Sequence, residues 1–184
     1  MATHLLKGGV VVSGSGTKRA DLLIENNKIA PIGRNLRCAA DAVTDVTGCI
    51  LFPGFIDAHT HFDMPCGSIM TSDDFETGTR AAVAGGTTTV IDFSEPDHGA
   101  SLQSGLDRWH EKADGRSFTD YSFHMTVARY DEGIEEEILS MIRQGVTSFK
   151  AYTAYKGDLG VEDRDMYRLL SLMKKHGVLL MVHC

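Results

Sequence analysis

Three short stretches of this sequence have residue types and spacing suited to metal-assisted chemistry. The first is Asp57-Ala58-His59-Thr60-His61. Side chains alternate faces along a strand, so His59 and His61 project to one side. Two imidazoles on one side can bind a single ion; the plainer alternative is two polar residues making ordinary hydrogen bonds at a strand end. The second is Ser148-Phe149-Lys150-Ala151-Tyr152. Burying an ammonium in an apolar strand is costly and favours the neutral amine. A neutral amine can add carbon dioxide to give a carbamate, whose two oxygens could bridge two metal ions. A lysine that snorkels its charge to the surface is the alternative, and spacing alone favours it. The third is Val182-His183-Cys184. A single His after an apolar run is more often a hydrogen-bonded core residue than a ligand. Yet His183 follows Lys150 by about one βα unit, a repeat of roughly 30 residues. Lys150 and His183 would then reach the same end of neighbouring strands as His59 and His61. Parallel α/β folds place active sites at that end.

Such placement requires an alternating chain. Ile50 to His61 reads as a buried strand, followed by a helix from near Ser72-Asp73-Asp74 to Gly85-Gly86, with acidic residues in its first turn and glycine at its end. Thr87 to Phe93, Tyr121 to Val127, Ser148 to Tyr152 and Val178 to His183 read as strands. Leu102 to Ala113, Ile134 to Arg143 and Asp163 to His176 read as the helices between them. Helix 134–143 gathers Ile134, Ile138, Met141 and Ile142 on one face, leaving Glu135, Glu136 and Glu137 as a solvated one. Five strands and four helices in alternation predict a parallel sheet with right-handed crossovers, covered on both faces. The first fifty residues differ. They read as short strands, with Leu5 to Val12, a hairpin turning at Asn26-Asn27, and Ala42 to Val46. The predicted organisation is a β-rich segment over 1–50 and a β/α region over 51–184.

Composition narrows the classes. The chain has 184 residues, 42% hydrophobic and 23% charged, enough apolar material to form a core rather than stay disordered. A net charge of −7 argues against nucleic acid as a partner. No run approaches the roughly 20 apolar residues of a membrane span, and Met1 to Lys7 lacks the pattern of a signal peptide. Cys38, Cys49, Cys66 and Cys184 form no C-x-x-C pair, which suggests reduced thiols and a cytoplasmic location. Weaker candidates are set aside: Gly14-Ser15-Gly16 is no phosphate loop, and Ser94, Asp97 and His98 share one loop without a nucleophile elbow. His124 reads as core and Tyr152 as packing or pocket wall. Asp57 reads either as the orienter of a ligand imidazole or as a structural hydrogen-bonding residue.

Four longer stretches carry a resemblance. Phe52-Pro-Gly-Phe-Ile-Asp-Ala-His-Thr-His-Phe-Asp-Met-Pro, Asp73-Asp-Phe-Glu-Thr-Gly-Thr-Arg-Ala-Ala, Gly85-Gly-Thr-Thr-Thr-Val-Ile-Asp-Phe and Phe149-Lys-Ala-Tyr-Thr-Ala-Tyr-Lys-Gly together resemble the dihydropyrimidinase/hydantoinase family of cyclic amidohydrolases. The resemblance runs in order along essentially the whole chain. It implies an α/β fold, the first part of a TIM-like (β/α)₈ barrel, preceded by an N-terminal β-rich segment of a small β-sandwich domain. It implies two divalent metal ions, zinc first among candidates, held by His59, His61 and His183 and bridged by Lys150 after carboxylation with carbon dioxide. It assigns oxyanion stabilisation to Tyr155.

The implied reaction is hydrolysis of the cyclic amide of dihydropyrimidines or hydantoins to N-carbamoyl amino acids, with metal-activated hydroxide as nucleophile. The implied substrate is a small cyclic ureide or imide, and the implied assembly a dimer or tetramer. In that family a further His ligand and a proton-shuttling Asp come from later strands, beyond Cys184. A barrel needs about 250 residues, so the expectation is the front part of a larger enzyme, inactive alone. Cys66 stands where some relatives carry a bulky aromatic, which bears on side-chain preference. Two other readings remain: an allantoinase or dihydroorotase, and a metal-free scaffold of the collapsin-response-mediator type. A third, a self-sufficient open-sheet binding module, would leave the strand-end ligand set incomplete.

Overall fold

The computed structural model describes residues 2–184; Met1 lies outside the described residues. The chain forms two compact units, one ending at Phe55 and one running Ile56–Cys184. No helix among the described residues is long and apolar enough to cross a membrane.

The first unit is a sheet of β1 (Thr3–Ser13), β2 (Gly16–Glu25), β3 (Lys28–Gly33), β4 (Ala42–Asp45) and β5 (Ile50–Leu51). Strand order is β3-β2-β1-β4, with β5 also on β1. The β2–β3 hairpin turns at Asn26 and Asn27, with φ of 50° and 61°. Positive φ at both central residues matches the twist of the flanking strands, and Asn tolerates it better than most residues. Leu5, Val11, Ala20, Leu22 and Leu23 are buried here.

The second unit contains β6 (Phe55–Thr60), a small hairpin of β7 (Pro65–Cys66) and β8 (Ile69–Met70), α1 (Phe75–Ala84), β9 (Thr87–Ser94), α2 (Leu102–Ala113), β10 (Asp120–Thr126), α3 (Ile134–Arg143), β11 (Ser148–Lys156), α4 (Asp163–His176) and β12 (Leu179–His183). The main sheet has the order β12-β11-β10-β9-β6, which is chain order. Strands β9 to β12 are parallel. This repeating β/α arrangement is the expected first part of a TIM-like barrel, preceded by the β-rich segment.

Alternation along the strands sorts side chains to two sides. Phe123, Met125, Phe149 and Ala151 are buried together with Leu106 and Trp109 of α2, Ile138 and Met141 of α3, and Leu169 and Met173 of α4. Each such large apolar side chain contributes about 1.5–3 kcal/mol on burial. Phe93, His124, Thr126, Lys150, Tyr152 and His183 lie on the other side, as the pairings Phe93↔His124, Thr126↔Lys150 and Tyr152↔His183 require.

Three expectations need correction. Ile50 to His61 is two strands, β5 and β6, interrupted at Phe52-Pro53-Gly54. Proline offers no donor to a ladder and glycine weakens one, which explains the break. Burial on both faces also fails at the sheet margins: Ile56 of β6 is 65% exposed and Leu179 of β12 59%. Both strands sit at the ends of the sheet order and lack a neighbour on one side. Finally, Glu137 is not part of a solvated face. It accepts the Leu102 backbone N–H at 2.7 Å and pairs with Arg129 at 2.5 Å, so α3 caps the start of α2.

Candidate metal centre

The site begins at the exit of β6. His59 and His61 stand on one side, with ring centroids 5.1 Å apart. Both rest on the ring of Phe93 from β9, at 4.7 and 4.9 Å. Phe93 has no exposed surface. Lys150 of β11 reaches the same ring, with Nζ 5.4 Å from its centroid. Lys150 is only 8% exposed and takes part in none of the ion pairs among the described residues. Its Nζ also lies 5.3 Å from the Tyr152 ring.

A second group adjoins the first. His183 of β12 packs its ring 5.4 Å from Tyr152 and 5.5 Å from Tyr155. The pairing of Lys150 with Met181 and of Tyr152 with His183 puts Lys150 and His183 two residues apart on one side of neighbouring strands. The structure thus brings His59, His61 and Lys150 around one ring, and His183 and Tyr155 around the next.

The electrostatics suit ligation. Burial pulls the His61 imidazole below its ordinary pKa; nearby His59 and Lys150 act in the same direction and Asp92 opposes them. His61 is therefore neutral at neutral pH, the form that binds metal. Its Nδ1 is buried without a hydrogen-bond partner. An orphaned buried polar atom is expensive unless something outside the chain meets it. Among the described residues no three His, Cys, Asp or Glu side chains converge to enclose an ion on their own. A divalent ion would need a further donor, and a carbamate on Lys150 would supply oxygen next to the two imidazoles. The residue set therefore fits a metal, and fits it better with Lys150 modified than without.

The surroundings are ordered by side chains of less obvious type. His124 Nε2 lies 3.0 Å from the Ala58 carbonyl, and Nδ1 lies 2.6 Å from Ser148 Oγ. A carbonyl can only accept, so Nε2 carries the proton and Nδ1 accepts the serine hydroxyl. His124 is buried, as its apolar strand implied, and it braces the backbone next to His59. Asp57 accepts the His59 backbone N–H at 3.1 Å, so it is the structural hydrogen-bonding residue rather than the orienter of an imidazole.

Two residues escaped the sequence reading. Asp92 is fully buried, with burial raising its carboxyl pKa against four hydrogen bonds that lower it. Glu95 accepts the Tyr152 hydroxyl at 3.2 Å, and burial raises its pKa too. Acidic residues closing an apolar strand were the available signal for both. The Ser94, Asp97 and His98 loop forms no triad: Ser94 Oγ has no partner, and Asp97 pairs with Arg108 at 2.6 Å.

A cavity of about 450 Å³ is walled in part by Pro65, Glu95, Trp109, Thr126 and Leu159, and none of His59, His61, Lys150, His183 or Tyr155 lines it. Tyr155, 58% exposed, sits in the left-handed backbone region at φ 58°. An aromatic residue there costs about 1–2 kcal/mol. Gly160 bridges back to Tyr152 and Lys156 and holds that bend.

Comparison with known proteins agrees with the motif resemblance. A model of the Amidohydrolase family matches residues 50–184. The D-hydantoinase of Geobacillus stearothermophilus is 46% identical over 182 residues, covering 98% of this chain and 39% of that protein. The dihydropyrimidinase of Rattus norvegicus is 37% identical over 185 residues, covering 97% of this chain and 36% of that protein. A crystal structure of dihydropyrimidinase from Brevibacillus agri superposes with a TM-score of 0.93 at 42% identity, covering 98% of this chain and 40% of that one. The chain thus spans about two fifths of the length of the curated relatives it matches.

Proposed function

Because the chain belongs to the amidohydrolase family, we propose that the full-length protein hydrolyses the ring amide of dihydropyrimidines or hydantoins to N-carbamoyl amino acids. The observation that supports this most is the meeting of His59, His61 and Lys150 over Phe93, with His61 Nδ1 left unpartnered. In this reading His59, His61, His183 and carboxylated Lys150 would hold two divalent ions, zinc foremost. When bound, the ions supply an activated water and a Lewis acid for the amide carbonyl.

The chain's own residues do the remainder. The Lys150 amine, when neutral, forms a bond to the carbon of carbon dioxide and releases a proton to solvent, leaving an anion with two oxygens. Phe93 keeps water from one side of both imidazoles. The Tyr155 hydroxyl donates to the carbonyl oxygen as negative charge develops there, an effect typically worth about 3 kcal/mol. A further His and a proton-carrying Asp are expected from later strands of the full-length protein.

Metal analysis of the full-length protein tests this, together with hydrolysis assays on hydantoin, dihydrouracil, allantoin and dihydroorotate. Bound zinc with hydantoin or dihydrouracil preferred is the expected result. Preference for allantoin or dihydroorotate would move the protein to those related activities. A folded, metal-free protein inert toward all four rings would overturn the reading in favour of a scaffold.

The bend at Tyr155 yields a separate expectation. A Cβ at Gly160 would lie 2.3 Å from the Ala154 carbonyl oxygen, too close for any side chain. Gly160→Ala should push the 154–156 backbone aside and displace the Tyr155 hydroxyl. A misplacement of about 1 Å typically costs about a hundredfold in rate. The expected outcome is a kcat loss of that order with zinc content unchanged. Unaltered kcat would remove Tyr155 from the mechanism.

A further inference from the structure

We infer that Asp92 is a positioning residue for the metal centre: its buried carboxylate holds the Thr60 side chain before His61, the Phe62 backbone after it and, through the Phe93 backbone, the ring beneath both imidazoles. This rests on the metal reading above. Asp92 pairs with Phe123 in the sheet, so it faces the helices, away from His59 and His61. One oxygen, Oδ2, accepts the Thr60 hydroxyl at 2.8 Å and the Phe62 backbone N–H at 2.9 Å. Thr60 lies between the two histidines and Phe62 directly after the second. The other oxygen, Oδ1, accepts the Phe93 backbone N–H at 2.8 Å and Trp109 Nε1–H at 3.0 Å.

Four donors hold this group and no cation pairs with it directly, since Asp92 joins none of the ion pairs among the described residues. Burying a carboxylate without a counter-ion is costly, so a group chosen only to fill space would be apolar. A carboxylate alone accepts two hydrogen bonds at each of two oxygens. An amide of the same shape, turned either way, points its N–H₂ at two donors. Three of the four donors come from the stretch bearing the histidines and from the residue under them. The fourth, Trp109, has no exposed surface and anchors the assembly in α2.

The test uses zinc affinity of the full-length protein, read by competition with a chromophoric chelator, and the melting temperature of the zinc-free form. Groups that hold a ligand in place typically affect metal affinity by about 10–100-fold. A loss of that order is expected in Asp92→Asn and in Thr60→Val, with native affinity restored in Thr60→Ser. Trp109→Phe removes a donor to the same carboxylate on the helix side. It should lower the melting temperature while leaving zinc affinity as in the native protein. Where Asp92→Asn does not fold, the Thr60 pair and Trp109→Phe decide. Unchanged affinity in Thr60→Val, or an equal loss in Trp109→Phe, would overturn the positioning role. A native protein that binds no zinc overturns the metal reading as well, so the two failures are distinct.

Discussion

Lys150→Arg in the full-length protein is expected to be as inactive as Lys150→Ala, with bound zinc falling in both. Arginine keeps the charge and is slightly longer than lysine, but its guanidinium stays protonated at any working pH and forms no carbamate. If Lys150 served as a cation over the Phe93 ring, 5.4 Å from its centroid, arginine would preserve much of that role. If it serves as a carbamate, arginine preserves none of it. The activity loss should exceed about a thousandfold, because removing one oxyanion donor alone typically costs about a hundredfold to a thousandfold. Loss of the ions would also return the attacking water to its much higher, unactivated pKa. Zinc-stripped native protein reloaded without carbon dioxide should recover activity only after bicarbonate is added. Retained activity and zinc in Lys150→Arg would end the carbamate assignment.

Phe93→Ala is expected to have the largest effect on stability. The ring is fully buried and touches His59, His61 and His124, with Lys150 Nζ above it. Truncating a buried phenylalanine to alanine typically costs about 3–5 kcal/mol, part of it from the cavity left behind. Here the cavity would also admit water next to His61, whose neutral state depends on burial first. Phe93→Leu separates the two effects. A volume-conserving exchange typically costs below about 1.5 kcal/mol, while the flat surface that stacks on His61 at 22° is lost. Urea midpoints should order native, leucine, alanine, and both variants should bind zinc more weakly than native. An alanine variant within about 1 kcal/mol of native would show that the ring is not the floor of the site, given how rarely full burial tolerates truncation.

The alternation of strands and helices was legible because local chemistry marks it. The limits of α2, α3 and α4 coincide with the sequence reading, and each has a clear boundary. Ser101 accepts the Ser104 N–H, Gly133 stands at φ 101° before α3, and Gly177 at φ 66° after α4. Less legible was anything that depends on partners distant in sequence. Strand β11 runs to Lys156 rather than Tyr152, because Gly160 returns to pair with it. The β7–β8 hairpin was missed, although Gly67-Ser68 between two apolar pairs is a turn signal.

At the site, His59 and His61 were readable as a pair from their spacing, and the structure adds that they share a ring. Asp92 and Glu95 were not readable. A carboxylate that closes an apolar strand looks the same in sequence whether it is solvated or buried. Only the donors around it, from Thr60 and Trp109, tell the two cases apart.

The chain-order sheet of the second unit has a kinetic consequence. Strands β9 to β12 each pair with a neighbour one helix away, so most pairings close short loops. Low sequence separation lowers the entropy lost before contacts form and speeds folding. During synthesis, each βα unit can dock on its predecessor soon after it leaves the ribosome. The first unit assembles differently: β1 pairs with β4 and β5 about 40 residues further on, so its long strand waits for them. The strand ends carrying His59, His61, Lys150 and His183 can therefore come together stepwise, in the order in which synthesis delivers them.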